Sequence, residues 1–127
     1  MTKIQHFPKE GVTSGPYSPA VEIENFVYIS GQGTYNPATK KKYLGDITQQ
    51  TKLGMENLKR AVESCGLTMN HIIKITLFLI NENQLTEISE VYKQYFHGEP
   101  YPACSMIAVN SLPGGMGIEI EAIAGKY

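Results

Sequence analysis

The chain has 127 residues, 42% of them apolar and 18% charged, with a formal net charge of −1 and a pI near 6.3. That length supports one hydrophobic core and is too short for two, and the composition is far from the low-apolar, high-charge signature of disorder, so a single domain over residues 1–127 is expected. A near-neutral chain offers no clustered basic surface for a phosphate backbone, which argues against nucleic acid as a partner. The one basic run, Lys40-Lys41-Lys42 near Pro37 and Thr39, reads as a solvated turn.

No stretch reaches the roughly 18 apolar residues of a membrane span, and Met1 to Lys9 lacks the apolar run of a signal peptide, so a cytoplasmic protein with no membrane partner is expected. Cys65 and Cys104 stand far apart with no CxxC spacing, and His6, His71 and His97 are equally scattered. Neither a disulfide framework nor a metal site is suggested.

In chain order, Ala20-Val21-Glu22-Ile23 and Phe26-Val27-Tyr28-Ile29 are apolar runs split by Glu24-Asn25, the pattern of a β-hairpin with a two-residue turn. Gly31 to Gly45 mixes Gly, Pro, Asn, Thr and Lys without periodicity and reads as a loop. Asp46 supplies an N-cap, and Ile47, Thr51, Gly54, Leu58, Ala61 and Cys65 recur at three- and four-residue steps, the stripe of a helix on a sheet, with Gly66 just past its end. Ile72 to Ile80 is apolar or β-branched at nearly every position, which predicts a central strand buried on both faces. Asn81 and Asn83 can cap a second helix carrying Leu85, Ile88, Tyr92 and Tyr95 on one face and ending before the breaker Gly98-Glu99-Pro100. Ala103 to Val109 reads as a strand, Leu112-Pro113-Gly114-Gly115 as a turn and Ile118 to Ala124 as an alternating strand. The predicted order is ββαβαββ, an α/β fold with a mixed sheet and both helices on one face. Nothing in that order covers the other face, although its strand residues are apolar, so a partner subunit is expected there.

Four strings hold residue types suited to chemistry: Gly15-Pro16-Tyr17-Ser18, Tyr28-Ile29-Ser30-Gly31-Gln32, Pro102-Ala103-Cys104-Ser105 and Ile118-Glu119-Ile120-Glu121-Ala122. Singly, each has a plain structural account. Glu119 and Glu121 share one side of an alternating strand, as solvated residues do, and Tyr17 after Gly-Pro suits a turn. In this order and spacing, and with Asn57-Leu58-Lys59, Gly66-Leu67, Lys74 beside Thr76 and Phe78, Val91-Tyr92 and Leu112-Pro113, they resemble the RidA family, also called the YjgF type, over most of the chain.

The resemblance implies a chorismate-mutase-like subunit in a homotrimer, the sheets forming an inner barrel and small-molecule clefts lying between subunits. Members of that family hydrolyse reactive 2-imino acids to 2-keto acids and ammonia with no metal or organic cofactor. Water must add to an electrophilic imine carbon, so a group has to orient and deprotonate it, a task for a glutamate whose pKa is raised by partial burial. By resemblance that residue is Glu119, with Tyr17 as a second catalytic residue, while Ser30, Gly31, Ser89, Cys104, Ser105 and Met106 bind substrate.

Two departures bear on that cleft. The family holds the substrate carboxylate with an arginine, whose planar fork makes two hydrogen bonds to it. Its string is Pro-Ala-Arg-Ser, whereas this chain has Pro102-Ala103-Cys104-Ser105, and the chain's single arginine, Arg60, falls in the first predicted helix. Ser89 stands where many of these deaminases carry asparagine. Loss of a charge-assisted contact of about 1.5–3 kcal/mol weakens 2-imino acid binding by about tenfold to several hundredfold. The resemblance therefore implies an imine or enamine hydrolase of altered substrate range, with a non-catalytic ligand-binding or regulatory trimer as the alternative. Cys104 reads first as a small lining residue and second as a nucleophilic thiol, in that order because a reactive thiolate wants a histidine, a cation or a helix N-terminus beside it and the sequence places none there.

Overall fold

The computed structural model describes residues 2–8, 15–97 and 100–127. Its first element is a short strand that hydropathy does not signal, β1 (Ile4–His6), laid antiparallel on β2 (Ala20–Ile23). Three residues are too few to show alternation, and polar contacts help to hold them: Gln5 donates to the Ser18 hydroxyl at 2.7 Å, and His6 meets Glu22 at 2.9 Å. β2 turns through Glu24 and Asn25 into β3 (Phe26–Gln32), with Ile23 opposite Phe26 and Glu24 at positive φ, as a tight hairpin requires. The stretch read as a loop contains a second small sheet, β4 (Tyr35–Asn36) against β5 (Lys41–Lys42), where the Asn36 side chain accepts from the Ala38 amide and turns the chain back. Two residues per strand leave no period to read.

Helix α1 (Ile47–Ser64) forms where the cap and stripe place it. Asp46 accepts from the Gln49 amide at 3.0 Å, which also holds the Asp46 carboxyl below its ordinary range. Ile47, Thr51, Gly54, Leu58 and Ala61 are buried against the sheet. Gly66, at φ +78°, ends the helix in a left-handed turn that returns its own amide and that of Leu67 to the last carbonyls.

The chain continues through β6 (Ile72–Leu79), α2 (Leu85–Tyr92), β7 (Ala103–Ala108) and β8 (Ile118–Gly125). Asn81 caps a single tight turn ahead of α2, whose Ile88 and Tyr92 are buried while Leu85, on the first turn, stays exposed. Of the expected breaker, Gly98 and Glu99 lie outside the described residues. The main sheet runs β1-β2-β3-β8-β6-β7, with β6 antiparallel to β8 and parallel to β7, so it is mixed. The expected ββαβαββ core is present, extended by β1 at one edge and by the β4–β5 pair.

Both helices pack on one sheet face, where Met55, Leu58, Ala61 and Ile88 join Ile75, Leu77, Leu79, Ile118 and Ile120 in the core. β6 is not buried on both faces within the chain: Lys74, Thr76 and Phe78 alternate with the core residues and are half-buried. Register carries this second face across the sheet as the rows Tyr28, Ile123, Lys74, Ala103 and Glu121, Thr76, Ser105. The open face is therefore mixed in polarity, not plainly apolar. A lysine stem and a β-branched threonine suit a strand as well as valine does, so composition overstated its burial.

Candidate functional site

β3 and β8 pair regularly from Phe26 to Ile29, after which a register shift brings Gln32 opposite Ile120. Ser30 and Gly31 occupy that irregularity, where the strand is released from the ladder and can present its groups to a ligand. The bulge is tied to the segment that carries Tyr17. The Ser30 amide donates to the Pro19 carbonyl at 2.9 Å and the Ser30 hydroxyl to the Ser18 carbonyl at 2.6 Å. The Tyr17 amide donates to the Gly15 carbonyl at 2.8 Å, and the tight turn leaves the Tyr17 ring exposed.

These groups border a cleft of about 660 Å³, into which β8 sends Glu119 from the open sheet face. Glu119 packs so closely on Gly31 that a Cβ at that position would stand 2.5 Å from its Oε1. Gly31 thus leaves room for the carboxylate where any other residue would displace it. Tyr17, Ser30, Gly31 and Glu119 all line this one cleft.

The opposite wall comes from α1 and the β4–β5 pair. Buried Asn57 donates its amide to the carbonyls of Gly33 and Tyr35, each at 2.9 Å, and its side-chain oxygen accepts from Arg60 Nη2. Lys42 donates to the Pro113 carbonyl at 3.3 Å. The cleft lining thus holds two carboxylates, Glu119 and Glu121, and two cations, Arg60 and Lys42. Sequence reasoning missed this wall. Arg60 falls on a helix and Lys42 in a basic run, both ordinary settings for solvated charge; only the string Asn57-Leu58-Lys59 touched it.

Cys104, Ser105, Met106 and Ser89 stand apart from the cleft. On β7, Cys104 lies beside Ile75 and Met106 beside Leu77, on the helix-bearing face at the sheet edge, whereas Ser105 lies beside Thr76 on the open face and accepts from Lys74 Nζ at 2.7 Å. Ser89 is half-buried on α2, one turn before Tyr92. Burial pushes the Cys104 thiol above its ordinary pKa, against the smaller opposing pulls of the Tyr92 hydroxyl and the Lys74 ammonium. Within one chain, then, the expected site residues form two groups, one around Glu119 and one around β7 and α2. Among the described residues no three His, Cys, Asp or Glu side chains converge to hold a metal ion, and no helix is long and apolar enough to cross a membrane.

A mixed sheet backed by two helices is the architecture of the solved Rid proteins, one of which, from Yersinia pestis, matches with a TM-score of 0.94 at 35% identity over 98% of this chain and 99% of that one. Escherichia coli TdcF with bound serine matches with a TM-score of 0.91 at 37% identity, covering 99% of this chain and 100% of that one. In sequence, the family model described as Endoribonuclease L-PSP matches residues 8–126. The 2-iminobutanoate/2-iminopropanoate deaminase of Mus musculus is 34% identical over 122 residues, 96% of this chain and 90% of its own length. The chain belongs to the RidA family, with its YjgF and RutC relatives.

Proposed function

We propose that the chain, as one domain over residues 1–127, is a cytoplasmic homotrimer that hydrolyses a reactive imine or enamine to a carbonyl compound and ammonia in clefts between its subunits, without metal or organic cofactor. The observation that carries this reading is the Glu119 carboxylate seated against Gly31 in a cleft that also presents Ser30 and Tyr17. Relatives named as 2-iminobutanoate/2-iminopropanoate deaminases support the reaction class.

Glu119 takes a proton from a bound water as the water oxygen bonds to the imine carbon and the C=N π pair moves to nitrogen. Glu119 returns that proton to nitrogen and a second reaches nitrogen from solvent, so the C–N bond breaks and ammonia leaves. Loss of the hydroxyl proton completes the carbonyl, so one water is consumed and Glu119 ends as the carboxylate it began. The Tyr17 hydroxyl offers a second proton-bearing group, and Ser30 and Gly31 hold the substrate.

The open sheet face supports the trimer. Phe26, Tyr28 and Ile107 are 41%, 47% and 44% exposed there, apolar groups that a lone chain leaves in water. Assembly through this face and the β7 edge beside it unites the two groups of site residues by setting Ser89, Cys104, Ser105 and Met106 of one subunit against the Glu119 cleft of the next. With Cys104 in place of the family's arginine, ordinary 2-imino acids are held weakly and the substrate range is altered. The same substitution favours a second reading, a non-catalytic ligand-binding or regulatory trimer. Ribonuclease chemistry is disfavoured by the net charge of −1, which offers a phosphate backbone no clustered basic surface.

The test generates imines with an amino-acid oxidase and traps the survivors with semicarbazide. The hydrolase lowers adduct yield in proportion to protein added. Saturable binding of a 2-keto acid without any loss of adduct would favour the binding trimer instead.

A further inference from the structure

We infer that Gln50 is a positioning residue for Glu119, acting through the Gly117 amide, an inference that rests on the hydrolase reading of the Glu119 cleft. Gln50 stands at the end of the first turn of α1 and is 6% exposed, a burial that a long polar side chain accepts only when its amide is engaged. Its Nε2 donates to the Gly45 carbonyl and its Oε1 accepts from the Gly117 amide, each at 2.8 Å. One partner is a carbonyl and the other an N–H, so a single orientation of the side-chain amide satisfies both. Gly117 is held from its other side as well, since its carbonyl accepts from the Ile80 amide at 3.3 Å.

The tie matters because of where β8 begins. Its first pair is Ile118 with Leu79 and its second Glu119 with Phe78, so the carboxylate stands one residue inside the end of a strand, where a ladder opens most readily. On the other flank β3 pairs irregularly, its register shifting between Ile29 and Gln32, and its last pair with β8, Gln32 with Ile120, stops short of Glu119. Gln50 supplies what the ladder lacks by holding the residue ahead of the first pair to α1. Seven residues on, two turns along the same face of the helix, Asn57 holds the Gly33 and Tyr35 carbonyls just past Gly31. One helix therefore fixes both strand ends that meet where Glu119 packs on Gly31, a contact already too close to admit a Cβ. Releasing the Gly117 end lets the carboxylate drift from Gly31 while the Asn57 end keeps its place.

The experiment measures hydrolysis of a panel of oxidase-generated imines by the wild type, Gln50→Met, Gln50→Glu and Val62→Ala, each with its thermal midpoint. Methionine matches glutamine in length and helix propensity but offers Gly117 only a weak acceptor and Gly45 no donor. Glutamate keeps an oxygen for the Gly117 amide in either protonation state. Val62, buried in the last turn of α1, takes part in neither tie, and its truncation controls for lost stability alone. Gln50→Met is expected to lose about tenfold to a hundredfold in kcat with KM within about threefold, as a base displaced by about 1 Å does; Gln50→Glu stays within about threefold of the wild type in kcat, and Val62→Ala lowers the midpoint and leaves kcat within about twofold. An unchanged kcat in Gln50→Met, an equal fall in Val62→Ala, or a fall as deep in Gln50→Glu overturns the inference and leaves the hydrolase reading standing. Should Gln50→Met not fold, Gln50→Asn, one methylene too short to span both partners, takes its place with the same expectations. If the wild type turns over none of the imines, the hydrolase reading fails by itself and crystal structures of the variants decide the placement. A Glu119 carboxylate moved about 1 Å or more from Gly31 in Gln50→Met but not in Gln50→Glu then sustains it, and one that moves in both or in neither overturns it.

Discussion

Replacing Gly31 with alanine puts a methyl carbon 2.5 Å from Glu119 Oε1 and 2.9 Å from its carboxyl carbon. Gly31 is not among the positive-φ glycines, so the backbone accepts alanine and the strain falls on the glutamate side chain. To regain ordinary contact the carboxylate swings away by about 1 Å, an off-rotamer displacement costing about 0.5–1.5 kcal/mol. The unfolded chain loses freedom when glycine becomes alanine, which offsets about 0.4–1 kcal/mol of that. Stability should therefore change by less than about 1 kcal/mol, or under about 5 °C in thermal midpoint. A carboxylate misplaced by about 1 Å loses on the order of a hundredfold in catalysis. Scanning calorimetry and the semicarbazide assay together read the two effects, and the variant should keep its melting point and lose its turnover. An unchanged kcat/KM would refute the role given to Glu119. A loss of more than about 3 kcal/mol would refute the confinement of the clash to one side chain.

In the proposed trimer Cys104→Arg sets a fork beside the neighbouring cleft and should raise kcat/KM on 2-iminobutanoate by about tenfold or more, a gain that Glu119→Gln abolishes; no gain in a folded variant would favour the binding trimer. Because burial raises the Cys104 pKa, its thiolate is scarce at neutral pH and grows as pH rises, so iodoacetamide labelling of its peptide should be slow at pH 7 and still accelerating above about pH 8.5. A labelling rate already level at pH 7 would instead mark a reactive thiol. Sedimentation equilibrium should give three times the 14.1 kDa chain mass at micromolar concentration, and a monomer would remove the basis for a shared cleft.

The elements legible in the sequence are those with enough length to show a period. The stripe of α1 and the alternation of β8 each run over several turns or residue pairs, and Asp46 and Gly66 mark the α1 ends by chemistry that acts locally. β1, β4 and β5 are too short for that, and their stability comes from pairing and side-chain bonds between residues distant in the chain, such as His6 with Glu22. Within one chain β6 is buried on one face only, because Thr76 and Phe78, β-branched or apolar in a run interrupted by Lys74, face away from the helices together with that lysine. At the site, Tyr17, Ser30, Gly31 and Glu119 were grouped by resemblance, and the fold brings them together through a strand irregularity that no hydropathy pattern encodes. Arg60 was legible only as a helix residue, since its approach to the cleft depends on Asn57 reaching across to Gly33 and Tyr35.

The reaction assigned to the cleft is tested most directly by the decay of an oxidase-generated imine in the presence of the wild type and of Glu119→Gln, with both proteins verified as folded. The wild type should shorten the imine lifetime well below that in buffer, and the glutamine variant, isosteric but unable to accept the water proton, should fall by about a hundredfold or more. Decay equally fast with Glu119→Gln, or no faster with the wild type than in buffer, would contradict the assignment of imine hydrolysis to this carboxylate.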